Sequence, residues 1–235
     1  MTFGNLADGV WGAAWFAGEP RLVVGTPGGN SVLTGGTLTG AEATEDWALA
    51  ATGVELSITA AGEPIHDRFD GGADGVDQLC QVRGTVAASG AAVELACLGR
   101  RATRSGLDLS RYTSIRDVSM WFEPEEGVAL TALRPRKAKH HGKDVVVAAV
   151  LDVADGKPVV DPRLSTTYDA EGAPRRVGLE LWLEEENGDQ FPRRTAAEST
   201  PPDVQLGDEL RATVLRAHSR GREGMGVYLL ATRPG

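Results

Sequence analysis

Cysteine is scarce in this chain of 235 residues, present only as Cys80 and Cys97, so no disulfide framework holds the fold and a reducing, cytoplasmic setting is expected. Long apolar runs are missing too. The longest, 145–151 (VVVAAVL), is one strand long, far short of a membrane-spanning helix. The first residues, MTFGNLADGV, lack the basic start and apolar stretch of a secretory signal. Basic charge is in deficit: 24 Lys and Arg against 33 Asp and Glu leave a formal net charge of -9, which works against nucleic acid and anionic membrane surfaces. There is no Gly-x-Ser-x-Gly, neither cysteine lies in a protease-like context, and the Gly-rich tract 25–40 has no Lys-Ser/Thr to close a phosphate loop. Nucleophilic triads and nucleotide cradles are set aside, and no cofactor is predicted; the Gly-rich tract reads instead as turns and irregular strand ends around 31–34.

Glycine is plentiful at 30 residues, proline contributes 12 and 41% of residues are apolar, a balance that favours frequent turns, short strands and a real core. Stretch 54–60 alternates Val54, Leu56 and Ile58 against Glu55, Ser57 and Thr59. Stretch 178–184 does the same, with Leu179, Leu181 and Leu183 opposite Glu180, Trp182 and Glu184. Stretch 145–151 is so uniformly apolar that both of its faces should be covered. A hairpin of 79–87 and 92–98 about Ser89 and Gly90 places Cys80 and Cys97 on one face, diagonally adjacent, where two buried free thiols are expected. Segment 62–75, with His66, Asp67 and Asp70, reads as a polar surface loop.

The chain also repeats itself. Residues 10–27 (VWGAAWFAGEPRLVVGTP) and 118–135 (VSMWFEPEEGVALTALRP) each give an apolar strand ending in Trp-Phe, a turn with Glu and Pro, and a second strand before Pro. Three further matches follow in order: 53–56 with 178–181, 77–79 with 208–210, and 95–103 with 229–232. The prediction is an all-β protein of two tandem antiparallel half-barrels related by internal duplication, 1–104 and 117–235, joined by a linker at 105–116. This arrangement, with its Trp-Phe strands, the Trp-bearing strand at 178–184 and a final hairpin, resembles the duplicated lipocalin-like proteins related to AttH and carotenoid 1,2-hydratase. The resemblance implies a pocket for a small apolar molecule, which some relatives hydrate or cyclise; no catalytic residue is carried over from it.

Candidate chemistry is dispersed. The basic loop 134–143 (RPRKAKHHGK) sets Arg136 and Lys139 where they could hold an anion, although a solvated connection explains the same charges. His140 and His141 are candidate acid/base groups; as chain neighbours without a third ligand they do not make a metal site. Tyr168 could donate to a carbonyl, and Arg175 and Arg176 could clamp an acid, against the plainer reading of a charged edge strand. Of five tryptophans, Trp15 and Trp121 are assigned to the core, Trp47 and Trp182 to ligand contact. The composition suggests a GC-rich bacterial source. The expected function is binding of a small hydrophobic or amphipathic molecule by a monomer or homodimer, with hydration, isomerisation or cyclisation by acid/base chemistry as the reaction class. The alternative is a non-catalytic protein-interaction or scaffold module.

Overall fold

Period-two alternation is realised along almost the whole chain. The computed structural model describes residues 1–232 apart from 17, 18, 41–45, 70–72, 89, 123 and 186; the side chains of 68, 91, 141, 201 and 202 also lie outside the description. The first half forms β1 (Thr2–Asn5), β2 (Val10–Trp15), β3 (Arg21–Thr26), β4 (Gly29–Thr34), β5 (Thr37–Thr39), β6 (Trp47–Ala51), β7 (Val54–Ala60), β8 (Ile65–Phe69), β9 (Ala73–Ala88) and β10 (Ala91–Ser105). The second forms β11 (Tyr112–Phe122), β12 (Glu126–Pro135), β13 (Val145–Asp152), β14 (Lys157–Pro158), β15 (Asp161–Tyr168), β16 (Pro174–Glu184), β17 (Gln190–Gln205), β18 (Leu210–Ser219) and β19 (Arg222–Thr232). A single 3-10 turn, Leu109–Arg111, stands between β10 and β11.

The two halves are wound identically. One sheet runs β4-β3-β2-β1-β10-β9-β7-β6-β5 and the other β14-β13-β12-β11-β19-β18-β17-β16-β15, all antiparallel, with β8 an additional strand on β9. The duplication is therefore present, but the strand equivalence differs from the sequence reading at two of its four anchors. By topology β1 corresponds to β11 and β2 to β12, so segment 10–27 matches β12 and β13 rather than 118–135. Likewise β7 answers to β17, not to the Leu179 strand. Adjacent strands share the same apolar alternation and turn residues, so a slip of one whole strand preserves the pattern. The anchors on β9 with β18 and β10 with β19 fall on corresponding strands.

Each half encloses its own core. Phe3, Leu22, Trp47, Leu56, Ile58 and Val82 fill the first; Met120, Phe122, Leu130, Leu179, Leu181 and Tyr228 fill the second. Gly12 has no side chain because the Phe3 ring occupies the space: a Cβ there would lie 2.2 Å from it. A third core joins the halves, with Trp11, Val23, Leu79 and Leu98 facing Trp121, Leu151, Val214 and Val227. Strand β13 is covered on both faces, Ala148 and Val150 toward the second core and Ala149 and Leu151 toward the joint.

Three local expectations are corrected. Segment 62–75 is not a surface loop, because Ile65, Asp67 and Phe69 alternate onto a buried face and form β8; Asp70 lies outside the described residues. The stretch 31–34, read as turns and irregular strand ends, belongs to the regular strand β4 paired along β3. Trp15 is half-buried at the joint rather than in the core, whereas Trp121 is 1% exposed. Cys80 and Cys97 are buried and unbridged, opposite Gly99 and Val82, hence diagonal neighbours.

Candidate functional site

The joint between the halves contains a buried polar network. In β10, alternation puts Leu98, Arg100 and Arg104 on the face that meets the second half, and in β9 it adds Asp77; from the second half come Asp117 and Ser119 of β11 and Thr131 of β12. Arg100, 2% exposed, donates from Nε to Asp77 at 2.6 Å, and from Nη1 to Asp117 at 2.6 Å and Ser119 at 3.1 Å. Arg104 donates from Nη2 to Asp77 at 2.8 Å and to Thr131 at 3.1 Å. Thr131 in turn donates to Asp117 at 2.9 Å. The hydroxyls of Thr2 and Ser119 also meet across the halves, at 2.7 Å.

Charges are expensive to bury unless each finds a partner, and here two guanidiniums face two carboxylates. Burial opposes ionisation of Asp77, yet Arg100 and Arg104 outweigh it and hold the acid at about 2. Its diagonal neighbour across β8 and β9, Asp67, takes the opposite course. Burial first, and the charge of Asp77 second, push Asp67 up to about 7. One oxygen of Asp67, Oδ2, is buried without a hydrogen-bond partner.

This network floors a chamber of about 440 Å³. Trp15, Phe16, Leu38, Trp47, Leu107 and Leu229 supply apolar wall; Arg100, Arg104, Asp117 and Thr131 supply the polar end. Trp47 is 3% exposed and packs under Arg101, whose guanidinium lies 5.1 Å from its ring centre. A second cavity of about 320 Å³ shares Trp15, Leu109 and Ile115 with the chamber and is bounded further out by Glu19, Arg21, Tyr112, Asp208 and Glu209. The two adjoin along those three side chains, the 106–111 connection supplying Leu109 to both.

The halves diverge here. With the β1–β2 and β11–β12 hairpins set end to end at Asn5↔Val10 and Phe122↔Glu126, the row Ala13, Thr2, Arg100, Leu79 aligns with the row Ala129, Ser119, Val227, Val214. Counting along the same strands, Asp77 then answers to Ala212, Arg104 to Ala231 and Trp15 to Thr131. Where the first copy carries these charges the second carries apolar side chains, and its own polar contribution to the floor comes from Asp117, Ser119 and Thr131 instead.

Of the residues singled out from sequence, Trp47 lines the chamber; the other eight line neither cavity among the described residues. Arg136, Lys139 and His140 are exposed; Arg136 donates to the Ser110 carbonyl at 2.6 Å, and the His141 side chain lies outside the described residues. Tyr168 meets the hydroxyl of buried Tyr228 at 3.0 Å. Arg175 pairs with Asp169 at 2.7 Å and Arg176 with Glu198 at 3.3 Å. Trp182 is half-buried outside the second core, its indole N–H donating to Glu180 at 2.9 Å. Among the described residues no group of three His, Cys, Asp or Glu side chains could hold a metal ion. The sequence reading passed over Asp77, Arg100, Arg104 and Asp117. Their signal was present: the alternation through Leu98 continues, so Arg100 falls on a buried face.

Fold and chamber together define a duplicated, lipocalin-like all-β protein with a cavity at the joint of its halves. Comparison with known proteins agrees on the fold. A crystal structure of a protein from Nitrosomonas europaea, provisionally named as an AttH, superposes with a TM-score of 0.56 and 10% identity, over 95% of this chain and 86% of the other. At that identity the likeness is one of architecture, the one the sequence pattern resembled. No family model matches the sequence. No curated protein matches it either.

Proposed function

We propose that this protein binds a small hydrophobic or amphipathic molecule in the chamber between its halves. The observation that carries the reading is the chamber of about 440 Å³, walled by Trp15, Phe16, Leu38 and Trp47 over a polar end. A few hundred cubic ångströms of apolar wall with a few convergent polar groups is the usual form of a small-molecule site. Among the described residues the large exposed apolar side chains, Leu6, Val32, Val153, Val160 and Tyr168, are spread over both halves rather than gathered beside one another along a single strand, which favours the chamber over a flat docking patch.

Hydration, isomerisation or cyclisation needs a proton donor or base on the chamber wall. Asp117 is the carboxylate that lines it, and Arg100 and Thr131 hold both of its oxygens. The reading is therefore of binding, with turnover left to a ligand that displaces those contacts. Native mass spectrometry of protein purified from its own host, with a tryptophan-fluorescence screen of lipids, polyenes and aromatic acids, tests it. A co-purifying molecule, lost in Ala102→Trp, which fills the chamber from its wall, is the expected result. Blank screens, or a ligand retained unchanged by Ala102→Trp, would sink the proposal.

A further inference from the structure

The chamber lies where the two copies of the frame differ by part of a strand. In the second half β11 runs between β12 and β19, and its residues 114–118 pair with both neighbours. With Thr2 set against Ser119, the counterparts of 114–118 fall ahead of Met1. Strand β1 meets β10 only as far as Arg100 opposite Thr2, whereas β10 continues beside β9 to Ser105. Among the described residues no strand runs between β2 and β10 beyond that point. The chamber takes its place, with Trp15 and Phe16 on one margin and Ala102, Thr103 and Arg104 on the other.

A strand's backbone groups point alternately to its two neighbours. The Met1 amine donates to the Ala14 carbonyl at 2.9 Å and the Ala14 N–H to the Met1 carbonyl at 2.8 Å. Thr2 therefore bonds toward β10 at Arg100, and the next groups of β10 aimed the same way are the N–H and C=O of Ala102 and Arg104. Among the described residues neither meets a backbone partner on that side. An open edge of this kind accepts an added strand. Its side chains would continue the order of β1, where Thr2 turns to Ser119 at the joint while Met1 and Phe3 turn to the first core. The first and third positions beyond Met1 thus face the joint, where Asp117 and Thr131 line the chamber, and the second faces the first core, where Trp47 and Leu38 line it.

Resting on the chamber reading, we infer that the amphipathic ligand is a short peptide, held in extended form between β2 and β10 and antiparallel to both, with its C-terminal end nearest Met1. Backbone bonds to Ala102 and Arg104 hold it, and an apolar residue next to last, flanked by small polar ones, fits the alternating walls.

Isothermal titration calorimetry of the full-length protein tests this with the peptide Thr-Val-Thr-Val-Thr, acetylated and amidated. The comparisons are the same peptide N-methylated on its middle and last residues, which lacks the donors toward Ala102 and Arg104, and decanol, which has no amide. The parent should bind at least about tenfold tighter than the doubly methylated form. A single methyl on its first residue, which falls past Ser105 at the end of β10, should cost less than about threefold. Ala102→Trp should abolish parent binding with circular dichroism unchanged; should that variant misfold, the methylated peptides decide on the wild type. Equal binding of parent and doubly methylated peptides, or parent binding that survives Ala102→Trp, overturns the peptide inference. Decanol binding without the peptide also overturns it and leaves the chamber standing. If neither the peptide nor decanol binds, the chamber reading fails with it.

Discussion

Arg100 is the residue whose loss both halves should feel, because it is the shared partner of one carboxylate from each. Arg100→Leu leaves Asp77 and Asp117 buried beside too little positive charge, and removing one partner from such a network costs about 3–5 kcal/mol. Urea unfolding at neutral pH should show that loss, with part of it recovered when Asp117→Asn is added. Asp67 and Asp77 give opposite pH signatures. The carboxyl of Asp67 binds its proton more tightly folded than unfolded, so its effect lies between the ordinary value of 3.8 and about 7, where stability falls as pH rises. Asp77 is the reverse: its stabilisation is present above 3.8 and is lost as pH falls toward about 2. Asp67→Asn should therefore gain on the wild type by roughly 1–2 kcal/mol between pH 5 and pH 8, measured as the difference in unfolding free energy at the two values. Burial pushes the Cys80 thiol up to about 12, and a thiol reagent at pH 8 should label it only after unfolding.

At the scale of single elements, the alternation of 54–60 and 178–184 was legible because a strand's period is local: it depends on each residue and its neighbours. The strand β8 was not, since Ile-His-Asp-Arg-Phe places a carboxylate at a core-facing position and so mimics a loop. Its buried face becomes evident only once Asp77 and Arg104 are beside it. The repeat was legible as a repeat but not in register, as four anchors could not distinguish a strand from its neighbour. One position inside β9 carries its own test. Gly84 has φ +142°, and a Cβ there would lie 2.0 Å from the Glu55 carbonyl oxygen across β7. Gly84→Ala should cost about 2 kcal/mol or more, seen as a lowered thermal midpoint with β-type circular dichroism retained.

For the whole molecule, the halves are continuous through the joint core around Trp11, Leu79, Trp121 and Val227, so neither is expected to be self-sufficient. Expressed separately, 1–105 and 112–235 should each give poorly dispersed amide spectra or aggregate, and should recover native dispersion when co-expressed. Two independently well-folded fragments would show that the joint adds little. The sequence by itself determined the class of fold, the doubling, the buried faces of the regular strands and the free thiols, because these follow from composition and from spacing between near neighbours. The tertiary structure alone decided which strands correspond, that Arg100 sits between Asp77 and Asp117, and that a chamber opens beside Trp47. Those facts rest on residues as distant as Thr2 and Ser119 meeting at one joint, and a meeting across two sheets leaves no periodic trace along the chain.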